Sequence, residues 1–137
     1  MDALLDHSIS SREVNAVSSL GLAHIGDAVY EILVRSMLIL DGNTTGAHLH
    51  QETISYVCAP AQAKAIDILM PHLTAEEQAY YRRGRNAEVH NIPKNATHGQ
   101  YSKATGLEAL FGALYLLGRT DRIRQLFNII MEENHAT

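Results

Sequence analysis

Two carboxylates are out of keeping with their surroundings. Asp27 lies in the middle of the apolar stretch LAHIGDAVYEILVR, Leu22 to Arg35, directly after Gly26, and Glu108 lies in YSKATGLEALFGALYL, Tyr101 to Leu116. An isolated buried charge is very costly, so an acid in such company is protonated, hydrogen-bonded, paired with a base or bound to a metal. Two acids facing one another across packed helices can hold Mg²⁺, which takes oxygen ligands and keeps several waters. Such an ion stabilises phosphoryl-transfer charge and activates water. The plainer alternative is that each acid accepts an arginine or caps a backbone group. Residue type and spacing leave both open, and do not establish that positions 27 and 108 meet.

The second chemical feature is a basic segment. From Arg82 to Lys103 the chain places Arg82, Arg83, Arg85, Lys94 and Lys103 against one acid, Glu88, although the whole chain carries a net charge of −4. A local basic face on an acidic body can bind phosphates, while any one of these residues alone could be a solvated surface charge. Glu31 stands four residues before Arg35, the favoured orientation for an exposed ion pair, and is expected to pair rather than to join Asp27. Cys58, the single cysteine, can form no internal disulfide and has no basic neighbour, so it is expected as a small core residue. His24 is expected as a partly buried structural histidine. His90 and His98 flank the basic loop without zinc-ligand spacing, so no zinc is assigned. Tyr80, Tyr81 and Tyr101 are expected to pack in the core or against a second chain.

The elements that must position these groups all read as helices. Ser10 with Glu13 forms a capping box opening a short first helix. A long second helix runs from about Ser19 to Leu40 and stops at Gly42, and a third covers about Thr45 to Val57. Pro60 suits the first turn of a fourth that ends before Pro71, and Thr74 with Glu77 caps a fifth through AEEQAYYRRGRNA. A polar loop, EVHNIPKNATHG, precedes a helix QYSKATGLEALFGALYLLG ending at Gly118. Thr120 is expected to cap the last helix, before a frayed EENHAT tail. On a helical wheel Leu22, Ile25, Val29, Ile32, Leu33 and Leu40 make one core stripe, and Leu107, Leu110, Phe111, Leu114 and Leu117 another.

Length and composition bound the rest. At 137 residues, 46% hydrophobic and 19% charged, the chain is expected as one all-α domain over residues 1–137, its core about 19–131. The acidic MDALLDHSIS start is unlike a secretory signal, and the longest apolar runs fall far short of the roughly 20 residues a membrane span needs. No membrane partner is expected, and the location is expected to be cytoplasmic.

LAHIGDAVYE and YSKATGLEALFGALYL, in this order on an all-α chain, resemble the two acidic signatures of the ribonuclease III catalytic domain. In size, and in the basic YRRGRNA segment before the second signature, the chain resembles Mini-ribonuclease III, the short bacterial branch without a double-stranded-RNA-binding domain. The resemblance implies a ribonuclease III-type helical domain that forms a two-fold homodimer. It implies an Mg²⁺-dependent endoribonuclease, with Mn²⁺ as a substitute ion, cutting double-stranded RNA to leave a 5′-phosphate and a 3′-hydroxyl. Maturation of 23S ribosomal RNA precursors, with a large-subunit ribosomal protein presenting the duplex, is also implied. By position Asp27 and Glu108 become the catalytic metal ligands, and Arg82, Arg83, Arg85, Asn86, Lys94 and Lys103 the candidates for RNA-backbone contacts. Two positions depart from the full-length family. Ala23 stands for a glutamate and Thr105 for an aspartate, so one ion per site is expected, with Thr105 available to act through a water. Such losses also suit the other reading, a non-catalytic RNA-binding or ribosome-associated protein on the same fold.

Overall fold

A computed structural model describes residues 5, 8–42, 45–88, 92 and 94–136. These form α1 (Ser11–Ala16), α2 (Ser19–Leu40), α3 (Gly46–Val57), α4 (Ala59–Leu69), α5 (Ala75–Arg85), α6 (His98–Leu116) and α7 (Thr120–Ala136), with a 3₁₀ turn at Met70–His72 and no strand among them. Local chemistry sets most of the boundaries. The Ser10–Glu13 and Thr74–Glu77 capping boxes close both ways, and Thr97 with Gln100 makes a third at the start of α6. Gly42 and Gly118, at φ of 99° and 76°, stop α2 and α6 in a conformation that glycine adopts without a Cβ penalty. Two expectations at the C-terminal end fail. Thr120 is already helical and the Arg119 carbonyl accepts the first bond, from the Ile123 amide at 3.1 Å. The supposed frayed tail continues α7 to Ala136.

Helix α6 runs through the centre, buried on nearly every side, with α2, α4 and α5 packed around it. All five residues of its expected stripe are buried, and so are Ala104, Thr105, Gly106, Ala109, Gly112 and Ala113. Small residues let the neighbours come close: a Cβ on Gly84 of α5 would lie 2.6 Å from the Thr105 carbonyl oxygen, and one on Gly106 2.5 Å from the Tyr81 ring. Tyr30 of α2 meets Phe111 of α6 and Phe127 of α7 edge-on, with ring centroids 5.3 and 5.8 Å apart. The core face of α2 is rotated from the expected one. Leu22, Ala23, Gly26, Val29, Tyr30, Val34 and Leu38 are buried, whereas Ile32 and Leu40 are 63% and 84% exposed.

One buried acid holds the far end of the bundle together. Glu77, 3% exposed, accepts both arms of the Arg122 guanidinium at 2.8 Å and the Thr74 amide at 2.9 Å. Arg122 also donates to the His72 carbonyl oxygen at 2.7 Å, joining α7 to the start of α5. Burial pushes the Glu77 pKa up, but the Arg122 and Thr74 hydrogen bonds outweigh it and hold it below its ordinary value of 4.5. A carboxyl with a lowered folded pKa adds stability above that ordinary value and loses it as the pH falls through the folded one. Glu77→Gln is therefore expected to cost about 2–4 kcal/mol at pH 7, by leaving Arg122 half-paired in the interior. In urea titrations the gap from wild type should narrow as the pH is lowered below 4.5. An unchanged midpoint at pH 7 would refute this role.

Candidate active site

The crossing of α2 over α6 is a backbone contact. A Cβ placed on Gly26 would lie 1.6 Å from the Glu108 carbonyl oxygen, and one on Gly112 would lie 2.0 Å from the Leu22 carbonyl oxygen. The residue after Gly26 is Asp27, so this contact sets Asp27 beside Glu108. Asp27 is exposed and Glu108 half-buried, and both line a cleft of about 420 Å³ walled by Cys58, Pro60, Gln62, Asn95, Tyr101 and Thr105. The two carboxyl groups stand close enough to act on each other electrostatically. Burial, and then the charge of Asp27, push the Glu108 pKa up to about 8, while the nearby Gln62 amide pulls the other way. At neutral pH the Glu108 carboxyl therefore tends to keep its proton.

Two close carboxyl groups, one of them with its charged form disfavoured, are a donor set that a hard divalent cation can occupy in place of a proton. Among the described residues no group of three His, Cys, Asp or Glu side chains could hold a metal ion, so further oxygens would come from water or substrate. Position 23 offers no further acid, because Ala23 is 6% exposed and packed in the core. The Thr105 hydroxyl donates to the Tyr101 carbonyl at 3.0 Å, and Thr105 lines the cleft.

The basic residues divide. Arg82, Arg85 and Asn86 are exposed at the C-terminal end of α5, and Lys94 is exposed next to Asn95 of the cleft wall. Lys103 pairs with Asp67 at 2.9 Å in a neighbouring groove that shares Pro60 with the cleft. Arg85 stands within electrostatic range of Tyr81 and Lys103. Arg83 turns away: its guanidinium donates to the Val17 carbonyl and the Ser19 hydroxyl, tying α5 to the start of α2.

Residues 20–119 match the ribonuclease III domain. The chain belongs to the ribonuclease III family. As a member of it, the chain is a hydrolase of the endoribonuclease kind. Among relatives, the Mini-ribonuclease 3 of Symbiobacterium thermophilum is 46% identical over 107 residues, covering 78% of this chain and 82% of that protein. The Mini-ribonuclease 3 of Enterococcus faecalis is 40% identical over 119 residues, covering 85% and 90%. A crystal structure of a Fusobacterium nucleatum protein superposes with a TM-score of 0.80 at 28% identity, covering 89% of this chain and 98% of that one.

Several features of this ribonuclease III domain escape a reading of sequence. Gln62, Asn95 and Tyr101 line the cleft with the acids. Gln62 had a signal, a polar residue in line with Ala65, Ile66 and Leu69 on the buried face of α4. Cys58 is half-buried on the cleft wall rather than in the core, and His24 is exposed. Glu31 does pair with Arg35, at 3.1 Å, and Tyr80 and Tyr81 are in the core. His90 and Pro93 lie outside the described residues.

Proposed function

We propose that this chain is an Mg²⁺-dependent endoribonuclease that cuts double-stranded RNA and matures the ends of 23S ribosomal RNA precursors, leaving a 5′-phosphate and a 3′-hydroxyl. Supporting this is the pairing of Asp27 with Glu108 on the wall of an open cleft, on a ribonuclease III domain. When bound, the ion supplies positive charge against the phosphodiester and makes water a better nucleophile. Asp27 and Glu108 hold it, Asp27 from the exposed side and Glu108 from the half-buried one. One ion per site suits a pair lacking acids at Ala23 and Thr105. Mn²⁺ substitutes, because it too accepts hard oxygen ligands.

Substrate binding falls to Arg82, Arg85, Asn86, Lys94 and Lys103, exposed or half-exposed, with Arg83 bracing the helix that carries three of them. A-form RNA offers phosphates and 2′-hydroxyls across a shallow minor groove, so such side chains read shape more than sequence. The chain works as one catalytic domain over residues 1–137, core about 19–131, in the cytoplasm. No described helix is long and apolar enough to cross a membrane. A large-subunit ribosomal protein presents the duplex, as the resemblance to the short branch implies.

A homodimer completes the reading. The helix carrying Asp27 leaves Leu20, Ile32 and Ile39 exposed at 53%, 63% and 54%, and Ile54 of α3 is 48% exposed. Those side chains offer apolar surface that a second chain can cover. Sedimentation is expected to give about twice the 15.1 kDa chain mass, and a stable monomer at micromolar concentration would contradict the dimer.

The function is tested by incubating the protein with a long RNA duplex and with its separated strands. Mg²⁺-dependent cutting of the duplex, stopped by chelation and sparing the single strands, is expected. Binding without cutting would favour the non-catalytic RNA-binding reading.

A further inference from the structure

Gln62 holds no metal and touches no substrate in the nuclease reading, yet its environment is unusual. Its side chain is 2% exposed, among the most completely buried in the molecule, and lies in the early turns of α4 against the cleft that holds the acid pair. A leucine there would fill the same space without the cost of desolvating an amide. The amide is not left over from the fold: it lines the same cleft as Glu108 and lies near enough to that carboxyl to favour its charged form.

The fold has a different way of holding a buried acid for structural purposes. Glu77 is gripped by the Arg122 guanidinium, which neutralises it. A cation at Glu108 in place of Gln62 would compete with a metal ion for that charge. A neutral amide instead occupies one lone pair of the carboxylate, fixes its rotation, and leaves its negative charge for the ion.

We propose that Gln62 is the positioning residue of the acid pair, donating its amide N–H to Glu108 so that the carboxylate is held toward Asp27 in the orientation that binds the divalent cation. This rests on the metal-nuclease reading above and names a residue that the reading does not require.

The test uses the whole chain without RNA and measures Mn²⁺ affinity from the electron paramagnetic resonance signal of the free ion. Gln62→Met keeps much of the volume and removes the donor, and Gln62→Leu serves as a second variant. Either is expected to weaken Mn²⁺ binding about 10–100-fold, the range found when a group supporting a metal ligand is removed. Thermal melting and duplex affinity in chelator should stay close to wild type, which a merely structural role would not allow. Glu108→Gln serves as the reference that loses the ion. If Gln62→Met binds Mn²⁺ within twofold of wild type while Glu108→Gln does not bind, the positioning role is wrong and the nuclease reading stands. If wild type and Glu108→Gln bind Mn²⁺ alike, the metal-nuclease reading fails and Gln62 loses its role with it. If both Gln62 variants unfold, the amide is a folding element and the inference is overturned.

Discussion

Gly26→Ala is expected to cost on the order of 3–5 kcal/mol of stability, enough to leave much of the protein unfolded at physiological temperature. The added methyl would lie 1.6 Å from the Glu108 carbonyl oxygen and 2.9 Å from the Gly112 amide nitrogen. Neither atom belongs to a flexible side chain, so relief requires α2 and α6 to separate. Leu22, Tyr30, Leu110 and Phe111, all buried around that crossing, would lose their close packing. Gly46→Ala makes the control: no heavy atom lies within 4 Å of its Cβ position, and its helix should be neutral or slightly more stable. Urea titration of both variants checks the pair of expectations. A Gly26→Ala midpoint equal to that of Gly46→Ala would show that the two backbones do not touch. Any folded fraction of Gly26→Ala should also cut RNA poorly, since the same contact sets Asp27 beside Glu108.

Glu108→Gln is expected to reduce duplex cleavage by on the order of a thousandfold, the scale seen when one member of a preorganised charge set is removed. Its effect on stability should run the other way. In chelated wild type, Glu108 has its pKa pushed up to about 8 from an ordinary 4.5. The folded carboxyl then keeps a proton that the unfolded one releases, so its contribution is undiminished below 4.5 and is lost as the pH rises toward and through 8. The slope from one such group is at most about 1.4 kcal/mol per pH unit. Glutamine does not titrate, so chelated Glu108→Gln should melt at or above wild type at pH 8, the gap closing as the pH falls toward 5. Mg²⁺ should raise the melting temperature of wild type and leave that of the variant unmoved, because only a state that binds the ion is stabilised by it. A variant that loses both activity and stability at pH 8 would instead mark Glu108 as a structural acid.

Much of this fold is legible in the sequence. Ser10 and Thr74 cap α1 and α5 with side chains that satisfy backbone groups locally, and Gly42 ends α2 in a positive-φ conformation, so all three mark their helices without help from the rest of the chain. The rotation of α2 was not legible, because a helix apolar almost all round has no unique stripe. Its inward face is chosen by Gly26, which alone permits backbone contact with α6, and the larger Ile32 is turned outward as a result. Charge runs carry the same ambiguity. Arg82, Arg83 and Arg85 look alike in sequence, yet Arg83 is committed to the Val17 carbonyl, a partner 66 residues away that only the fold brings near. Asp27 and Glu108 were legible as acids in apolar company, but their meeting depends on two glycines on different helices.

The most direct measurement is cleavage of a long RNA duplex with Mg²⁺ by wild type and by Asp27→Asn, with circular dichroism to check that both are folded. Asparagine keeps the size of the exposed Asp27 side chain and removes the charge that the cation needs. Cutting by wild type alone, abolished by chelation, is the expected result. Equal cutting by folded Asp27→Asn would contradict the assignment of this acid pair as the catalytic metal site.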